Sequence, residues 1–142
     1  MDSNLILGLV SGTSFDGVDA SFLYTDGINY KRTPFRMTRK YSSSTLKYLK
    51  IALNDPENFI ICQNKMEKLS NLITIDHYKV AKKLIKKSAL NPKYIGFHGQ
   101  TILHKPDRRL SVQIGSGKKL SELLKKDVVF NFRLNDLQNG GQ

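Results

Sequence analysis

Cysteine is almost missing from this chain, and long apolar runs are missing altogether. Cys62 is the single cysteine among 142 residues, so no internal disulfide can form, and no zinc-type cluster of Cys and His accompanies it. The longest apolar runs, LILGLV and FIIC, are far shorter than the roughly 20 residues that span a bilayer. Asp2 stands where a secretory signal would have basic residues. These features predict a cytoplasmic protein in a reducing compartment, with no membrane partner.

Acidic residues are also scarce, with 12 Asp and Glu against 23 Lys and Arg, so the formal net charge is +11. The first 30 residues carry −4 and contain no Lys or Arg, which leaves +15 on the remainder. An excess of this size is one property of RNA-binding and ribosome-associated proteins, which release counterions from phosphates. The bases here are mostly lysines scattered along the chain, a pattern typical of a solvated surface. We therefore expect no nucleic-acid partner and retain RNA binding as the weaker alternative.

The length and the 39% hydrophobic content are sufficient for one domain with a core. Residues 5–10 form a short apolar run that predicts a buried strand. Apolar and polar residues alternate from Val18, and an Asp-Gly pair at 26–27 signals a hairpin before a more polar third strand that ends near Tyr41. The chain is therefore predicted to begin with an antiparallel meander.

Two helices are predicted to follow the meander. Ser42 supplies a capping hydroxyl, leucines follow at helical spacing, and Pro56 stops the first helix. A long second helix carries an apolar stripe that includes His77 as a packed histidine, and it ends near residue 91. Beyond it we predict short strands at 94–97, 102–103, 110–114 and 128–132, with a helix near 118–125. This order of elements predicts a mixed α/β sheet.

The turn after the first strand has a glycine at each end, Gly12 and Gly17. Glycine tolerates the dihedrals that turn backbone N–H groups toward a phosphate, and it leaves no side chain in the way. Thr13 and Ser14 add hydroxyl donors between the two glycines. The pattern predicts a phosphate-binding loop, and a plain Gly/Asp hairpin turn is the alternative.

Two aspartates in the same stretch, Asp16 and Asp19, would repel a phosphate unless a cation lay between them and the ligand. We therefore predict that both bind Mg²⁺ carried by a nucleotide. The loop is not a Walker A motif, because Val18 stands where lysine is required. The predicted nucleotide-binding residues are Gly12, Thr13, Ser14, Asp16, Gly17, Val18 and Asp19.

Four segments occur in a recognisable order along the chain: GLVSGTSFDGVDA at 8–20, IGFHGQTILHKP at 95–106, SVQIGSG at 111–117 and VVFNFRLNDLQNGGQ at 128–142. Together they resemble the anhydro-N-acetylmuramic acid kinases, a family of the sugar kinase, Hsp70 and actin superfamily. The resemblance spans the whole chain. It implies the first domain of an actin-like ATPase with a ribonuclease H-like fold, in which helices flank a mixed five-stranded sheet.

The resemblance also implies a cytoplasmic kinase of peptidoglycan recycling. Such an enzyme uses ATP and water to open the 1,6-anhydro ring and yields N-acetylmuramic acid 6-phosphate. The loop at 12–19 would then lie on the ATP phosphates and Mg²⁺, and the sugar side would be lined by His98, Gln100, Thr101 and Arg133. A guanidinium pairs with a carboxylate in a fork, so Arg133 suits the lactyl carboxylate of a muramic sugar. His98 considered alone fits a structural histidine equally well.

The chain departs from the family pattern in two residues and in length. Phe15 stands where the family usually has Met or Leu, and Asn131 replaces the aspartate of a DFR motif. Family chains are much longer, so the resemblance implies that residues 1–142 form the N-terminal lobe and that the general base lies beyond Gln142. We therefore expect a lobe that is inactive alone, with a second-lobe polypeptide or a second copy of this chain as its partner.

Two alternatives to the kinase remain open. A non-catalytic remnant that binds a sugar or a nucleotide agrees with the missing base. A ribosome-associated protein agrees with the basic charge and with the terminal tripeptide GGQ at 140–142, which resembles that of peptide-release factors. This second alternative leaves the other three family segments unexplained.

Overall fold

The computed structural model describes residues 3–141, so Asp2 and Gln142, which entered the predictions above, lie outside the described residues. The strands are β1 (Asn4–Val10), β2 (Gly17–Thr25), β3 (Tyr30–Lys40), β4 (Tyr94–Phe97), β5 (Gln100–Lys105), β6 (Leu110–Ile114) and β7 (Asp127–Val129). The helices are α1 (Ser43–Asn54), α2 (Pro56–Ile61), α3 (Gln63–Ser88), α4 (Gly117–Leu124) and α5 (Phe132–Gln138).

Five of the strands form one sheet in the order β3-β2-β1-β4-β7. The first three strands pair antiparallel, whereas β4 lies parallel to β1 and β7 lies parallel to β4. The α/β class, the mixed five-stranded sheet and the opening meander are therefore confirmed. The remaining two strands, β5 and β6, form a separate antiparallel hairpin.

One face of the sheet carries the core. Alternation along β1 and β2 turns Leu7, Leu9 and Phe22 inward, and each is at most 1% exposed. Helix α3 packs on this face through a buried stripe that includes Leu69 and Ile73. Because residues alternate, the opposite face presents Gly8, Asp19 and Ser21 together with the apolar side chains of Val10 and Leu23.

A short helix that was not predicted separates the two long ones. The prediction ended the first helix at Pro56, but Pro56 instead begins α2. Proline is tolerated there because backbone N–H groups in the first turn of a helix have no partner within the helix, so the missing N–H of proline costs no hydrogen bond. The Asp55 carboxylate caps this helix by accepting a hydrogen bond from the Asn58 amide at 3.3 Å. The Ser42 cap of α1 is found as predicted.

The prediction of a strand through Phe132 is wrong at its end. Strand β7 stops at Val129, and Asn131 adopts a left-handed conformation with φ +65°, which breaks the extended backbone. The Phe130 ring then lies against Gly117 at the start of α4, where a Cβ would come within 2.3 Å of it. The chain continues as α5, a helix that was not predicted.

None of the helices in the described range is both long enough and apolar enough to cross a membrane. Cys62, between α2 and α3, is a partly buried free thiol.

Candidate functional site

The segments that carry the predicted site residues begin or end near one edge of the main sheet. Because β1, β4 and β7 are parallel, their carboxyl ends meet at the same edge. Strand β2 begins there and β3 ends there, since Gly17 pairs with Lys40. The edge therefore brings together the loop after β1, the segment after β4 and the start of α5 after β7, which are far apart in sequence.

The loop between β1 and β2 is exposed on its outer side and closed by a backbone hydrogen bond. The Phe15 amide donates to the Gly12 carbonyl at 3.3 Å, and Phe15 has φ +55°. Thr13 and Ser14 at its tip are exposed, and the Ser14 hydroxyl donates to Asp16 Oδ1 at 2.7 Å. Hydroxyl groups and backbone therefore face solvent at the place where a phosphate group was predicted.

The two glycines of the loop differ in what they contact. A Cβ on Gly17 would lie 2.2 Å from the Arg39 carbonyl oxygen, so close pairing with β3 requires glycine there. A Cβ on Gly12 would meet only the Ser14 hydroxyl, at 3.6 Å. Packing therefore accounts for Gly17, whereas Gly12 keeps the loop surface free of a side chain. The Val18 side chain lies in the core, with 1% of it exposed, so only its backbone can contribute to a ligand site.

The two aspartates are exposed and each holds a neighbouring hydroxyl. Asp19 Oδ1 accepts a hydrogen bond from Thr38 Oγ1 at 2.5 Å, as Asp16 does from Ser14. No cluster of three or more His, Cys, Asp or Glu that could hold a metal occurs within residues 3–141. Mg²⁺ is commonly bound by one or two carboxylates, with phosphate oxygens and water molecules as its other ligands. The donor set thus fits a cation that arrives with its nucleotide.

A groove of about 600 Å³ on the open face of the sheet borders Asp19. Gly8 and Ser21 form part of its floor, and Arg36 and Met37 of β3 line one side. Its volume is within the range of small-molecule sites. The groove therefore offers room for a ligand next to the loop.

A buried polar cluster lies directly beneath the loop. Ser11 Oγ is 2.5 Å from the Tyr41 hydroxyl and 2.9 Å from His77 Nε2, and the Tyr41 hydroxyl is also 3.0 Å from Gln100 Oε1. All four residues are at most 5% exposed. Burial raises the pKa of Tyr41 well above its usual value, so its hydroxyl keeps its proton.

His77 is completely buried on α3, as a packed histidine would be. Burial lowers the pKa of His77 to about 4, so the ring is neutral at neutral pH. Its Nδ1 lies 2.8 Å from the Ile73 carbonyl oxygen, and a carbonyl can only accept a hydrogen bond. The neutral ring therefore carries its proton on Nδ1 and accepts at Nε2.

The residues predicted to line the sugar side are divided by the structure. His98 lies beside the end of β1, where its amide donates to the Leu9 carbonyl at 3.2 Å, and its ring is partly exposed. Thr101 belongs to the β5-β6 hairpin and accepts a hydrogen bond from the Gln113 amide at 3.1 Å. Arg133 lies exposed in the first turn of α5. Gln100 is 1% exposed and points inward to the polar cluster.

Comparison with known proteins adds what geometry alone does not give. Residues 4–142 match the family model described as anhydro-N-acetylmuramic acid kinase. The chain belongs to this family. Three curated anhydro-N-acetylmuramic acid kinases illustrate the match, from Pelagibacter ubique, Rhodospirillum rubrum and Gluconobacter oxydans, with 42%, 40% and 39% identity, respectively.

The alignments with these three relatives cover 96% of this chain but only 36–38% of the relatives' own length. The chain thus spans little more than a third of the curated anhydro-N-acetylmuramic acid kinases it matches. The open sheet edge and the loop at 12–19 are contained in that third.

Sequence reasoning missed three members of the cluster beneath the loop. Ser11 was interpreted only as part of the turn after the first strand, Tyr41 only as the end of the meander and His77 only as core. Each lies in a different element, so no local pattern connects them. A polar residue inside an apolar stripe, as His77 is, was the one signal of a buried partner elsewhere in the chain.

Proposed function

We propose that residues 1–142 form the N-terminal lobe of an ATP-dependent sugar kinase of peptidoglycan recycling. Its reaction would open the 1,6-anhydro ring of anhydro-N-acetylmuramic acid with water and phosphorylate O6, in the cytoplasm. The observation that carries this proposal is the family match over residues 4–142, combined with the meeting of three family segments at one sheet edge. The similarity to curated anhydro-N-acetylmuramic acid kinases supports the same activity.

The loop at 12–19 would bind the phosphates of ATP. Thr13 would donate a hydrogen bond from its exposed hydroxyl, and Ser14 would do so once its hydroxyl turns from Asp16 to the ligand. Gly12 allows a phosphate to approach the backbone. Asp16 and Asp19 would hold Mg²⁺ together with phosphate oxygens and water. A cation held there would supply positive charge against the transferred phosphate and would offset the repulsion that the two carboxylates impose on it.

The sugar would lie on the side formed by the segments after β4 and β7. His98 and Thr101 offer polar groups from the first segment, and Arg133 offers a guanidinium from α5. A planar fork of N–H donors matches the lactyl carboxylate that distinguishes a muramic sugar from its parent amino sugar. Arg133 would therefore select the substrate, and the other two would orient it.

A second lobe would supply the general base and the adenosine pocket. Kinases of this kind close a cleft between two lobes, so each lobe contributes groups that the other lacks. The chain spans little more than a third of its relatives, which leaves the greater part of such an enzyme to a further polypeptide segment. A non-catalytic lobe that binds nucleotide or sugar is the rival function.

Weak binding of ATP that requires Mg²⁺ is the first expected result for this chain. The phosphate loop and both aspartates are present, but the adenosine pocket would be in the other lobe. Calorimetric titration with ATP, with and without Mg²⁺, measures this. Replacing both aspartates in Asp16→Asn/Asp19→Asn should abolish most of the Mg²⁺ dependence, whereas Asp107→Asn, in the turn between β5 and β6, should not. Tight binding that is indifferent to Mg²⁺ would contradict the metal-bridged site.

Removing the guanidinium of Arg133 is expected to weaken binding of the muramic sugar selectively. In a chain reassembled with a second lobe, Arg133→Ala should weaken binding of anhydro-N-acetylmuramic acid roughly tenfold to a hundredfold, since a charge-assisted hydrogen bond contributes about 1.5–3 kcal/mol. Binding of the analogue without the lactyl group should change little. Arg108→Ala, in the turn between β5 and β6, serves as the control. Equal losses for both sugars would remove the carboxylate role of Arg133.

A further inference from the structure

Three hydrogen bonds hold the inner side of the loop from below. Gln100 Nε2 donates to the Gly12 carbonyl at 3.3 Å, and the Tyr41 amide donates to the Asp16 carbonyl at 2.9 Å. The third contact, between the Tyr41 hydroxyl and Ser11 Oγ, holds the residue that precedes the loop. The start and the end of the loop are thus tied to β5 and to the end of β3, while its tip remains exposed.

The contact between His77 and the Ile73 carbonyl oxygen fixes which groups donate in the chain of hydrogen bonds from Tyr41 through Ser11 to His77. His77 Nδ1 must donate to Ile73, so His77 Nε2 accepts the hydroxyl proton of Ser11. Ser11 then has only its oxygen lone pairs left for Tyr41, whose hydroxyl must donate to it. With a neutral imidazole ring, Tyr41 therefore donates to Ser11, and Ser11 donates to His77.

The side-chain amide of Gln100 has a fixed orientation for a similar reason. Its nitrogen lies 3.3 Å from the Gly12 carbonyl and 3.2 Å from the Thr101 carbonyl, both of which can only accept. The oxygen of the amide is therefore the atom turned toward the Tyr41 hydroxyl, 3.0 Å away. Within the described range no buried side-chain nitrogen or oxygen lacks a partner. The Tyr41 hydroxyl has one proton, which it donates to Ser11 Oγ at 2.5 Å, so its 3.0 Å contact with Gln100 Oε1 is the longer branch of a shared hydrogen bond.

Burying such a cluster costs solvation free energy that apolar side chains would not cost. The geometry it secures is a loop with a strained residue, because Phe15 has φ +55° and is not glycine. Phe15 donates its amide to the same Gly12 carbonyl that Gln100 contacts. A loop already held in one conformation loses less entropy when a ligand binds.

We propose that Tyr41 and Gln100 are positioning residues, which hold the loop at 12–16 in its phosphate-receiving conformation through a hydrogen-bonded cluster anchored on Ser11 and His77. The proposal rests on the proposed nucleotide function and adds residues to it that do not touch the ligand. It also gives Gln100 a role at the loop in place of contact with the sugar.

The variants Tyr41→Phe and Gln100→Met test this proposal. The first keeps the ring and the amide that reaches Asp16, and removes only the hydroxyl. The second keeps the length of the side chain and removes its hydrogen bonds. Tyr78→Phe on α3 is the matched control, because the hydroxyl of Tyr78 contacts Lys82 and lies outside the cluster. Two measurements are made on each chain: the affinity for Mg·ATP, and the hydrogen exchange rate of the Phe15 amide by NMR.

Each cluster variant is expected to weaken Mg·ATP binding roughly three- to tenfold, as the loss of one ordinary hydrogen bond would. Each should also speed exchange of the Phe15 amide relative to core amides of α3, while Tyr78→Phe changes neither quantity. If both cluster variants lower only the unfolding midpoint and leave the loop exchange and the affinity as they are, the cluster is merely structural and the proposal is wrong.

The proposed nucleotide function and the positioning role can fail separately. If the original chain binds no Mg·ATP, the nucleotide function fails, and the exchange rate of the Phe15 amide alone decides whether the two residues hold the loop. If one variant does not fold, the other gives the same comparison. Unchanged Phe15 exchange in a folded variant overturns the proposal in either case.

Discussion

The chain by itself is expected to show no kinase activity, and a polypeptide that carries the second lobe of the family is expected to restore it. The loop at 12–19 would supply phosphate and Mg²⁺ contacts, but the general base and the pocket for the nucleotide base would come from the other lobe. Loss of a general base alone typically slows a reaction 10²–10⁴-fold. Loss of half the closing cleft removes positioning as well, so the combined effect should place turnover below detection.

The surface near the sheet edge supports this expectation. Large apolar side chains remain 42–50% exposed around the carboxyl ends of β1 and β7 and on α5, namely Val10, Val129, Phe130, Phe132 and Leu134. An apolar surface of this kind is ordinarily covered by a partner. Without the second lobe we expect the chain to self-associate in a concentration-dependent way, as a dimer or as an aggregate.

A coupled assay of the chain, of the second lobe and of their mixture measures the reconstitution. Activity should appear only in the mixture, and Asp16→Asn/Asp19→Asn in this chain should remove it while Asp107→Asn preserves it. Clear turnover by the chain alone would place the general base within these 142 residues. Binding of nucleotide or sugar without turnover in the mixture would favour the non-catalytic rival.

Acid is expected to destabilise the fold through His77 by about 3 kcal/mol. The pKa of His77 is about 4 in the folded chain and 6.5 as the ordinary value, because burial disfavours the charged ring. Between these two pH values the unfolded chain binds the proton and the folded chain does not, so stability is complete above pH 6.5 and falls as the pH is lowered toward 4. A difference of about 2.5 pKa units corresponds to about 3 kcal/mol.

The charged groups near His77 have opposite effects on its pKa, and burial remains the largest cause of the lowered value. Asp76 favours the protonated ring and His98 disfavours it, and Tyr41, whose pKa is raised, stays neutral. The exposed carboxylates of Asp26 and Glu57 have lowered pKa values, caused mainly by hydrogen bonds with Asn29 and Lys105. Their own contributions are lost on acidification in every variant, so they cancel in a comparison between variants.

Urea unfolding at pH 7, 5.5 and 4 measures the pH dependence. At pH 7, His77→Asn should be less stable than the original chain, since it loses the buried packing of the imidazole ring. Its free energy of unfolding should fall less steeply between pH 7 and 4. His104→Asn, which changes an exposed histidine of β5, should keep the original slope. The same slope in His77→Asn as in the original chain would show that His77 does not carry the effect.

Local sequence patterns were sufficient to predict the strands and helix starts that depend on neighbouring residues alone. Alternation from Val18 onward predicted a strand with one buried face, found as β2, and Ser42 predicted a helix start, because strand pleat and helix capping depend only on near neighbours. The same reasoning failed at Pro56, which is compatible with both the end and the start of a helix. It failed again at Phe130 and Phe132, where an apolar run predicted a strand that the left-handed Asn131 interrupts.

The sequence by itself also singled out residues 12–19, the loop after β1 and the start of β2, since glycines, hydroxyls and carboxylates occur together there. Only the tertiary structure decided what holds that loop. Ser11 and His77 are 66 positions apart, and Tyr41 is 30 positions from Ser11 and 59 from Gln100. Periodicity specifies which face of a strand or helix a side chain occupies, but not which distant polar group it will meet. The pairing arises only when β1, the end of β3, α3 and β5 pack together and each buried polar atom must find a partner.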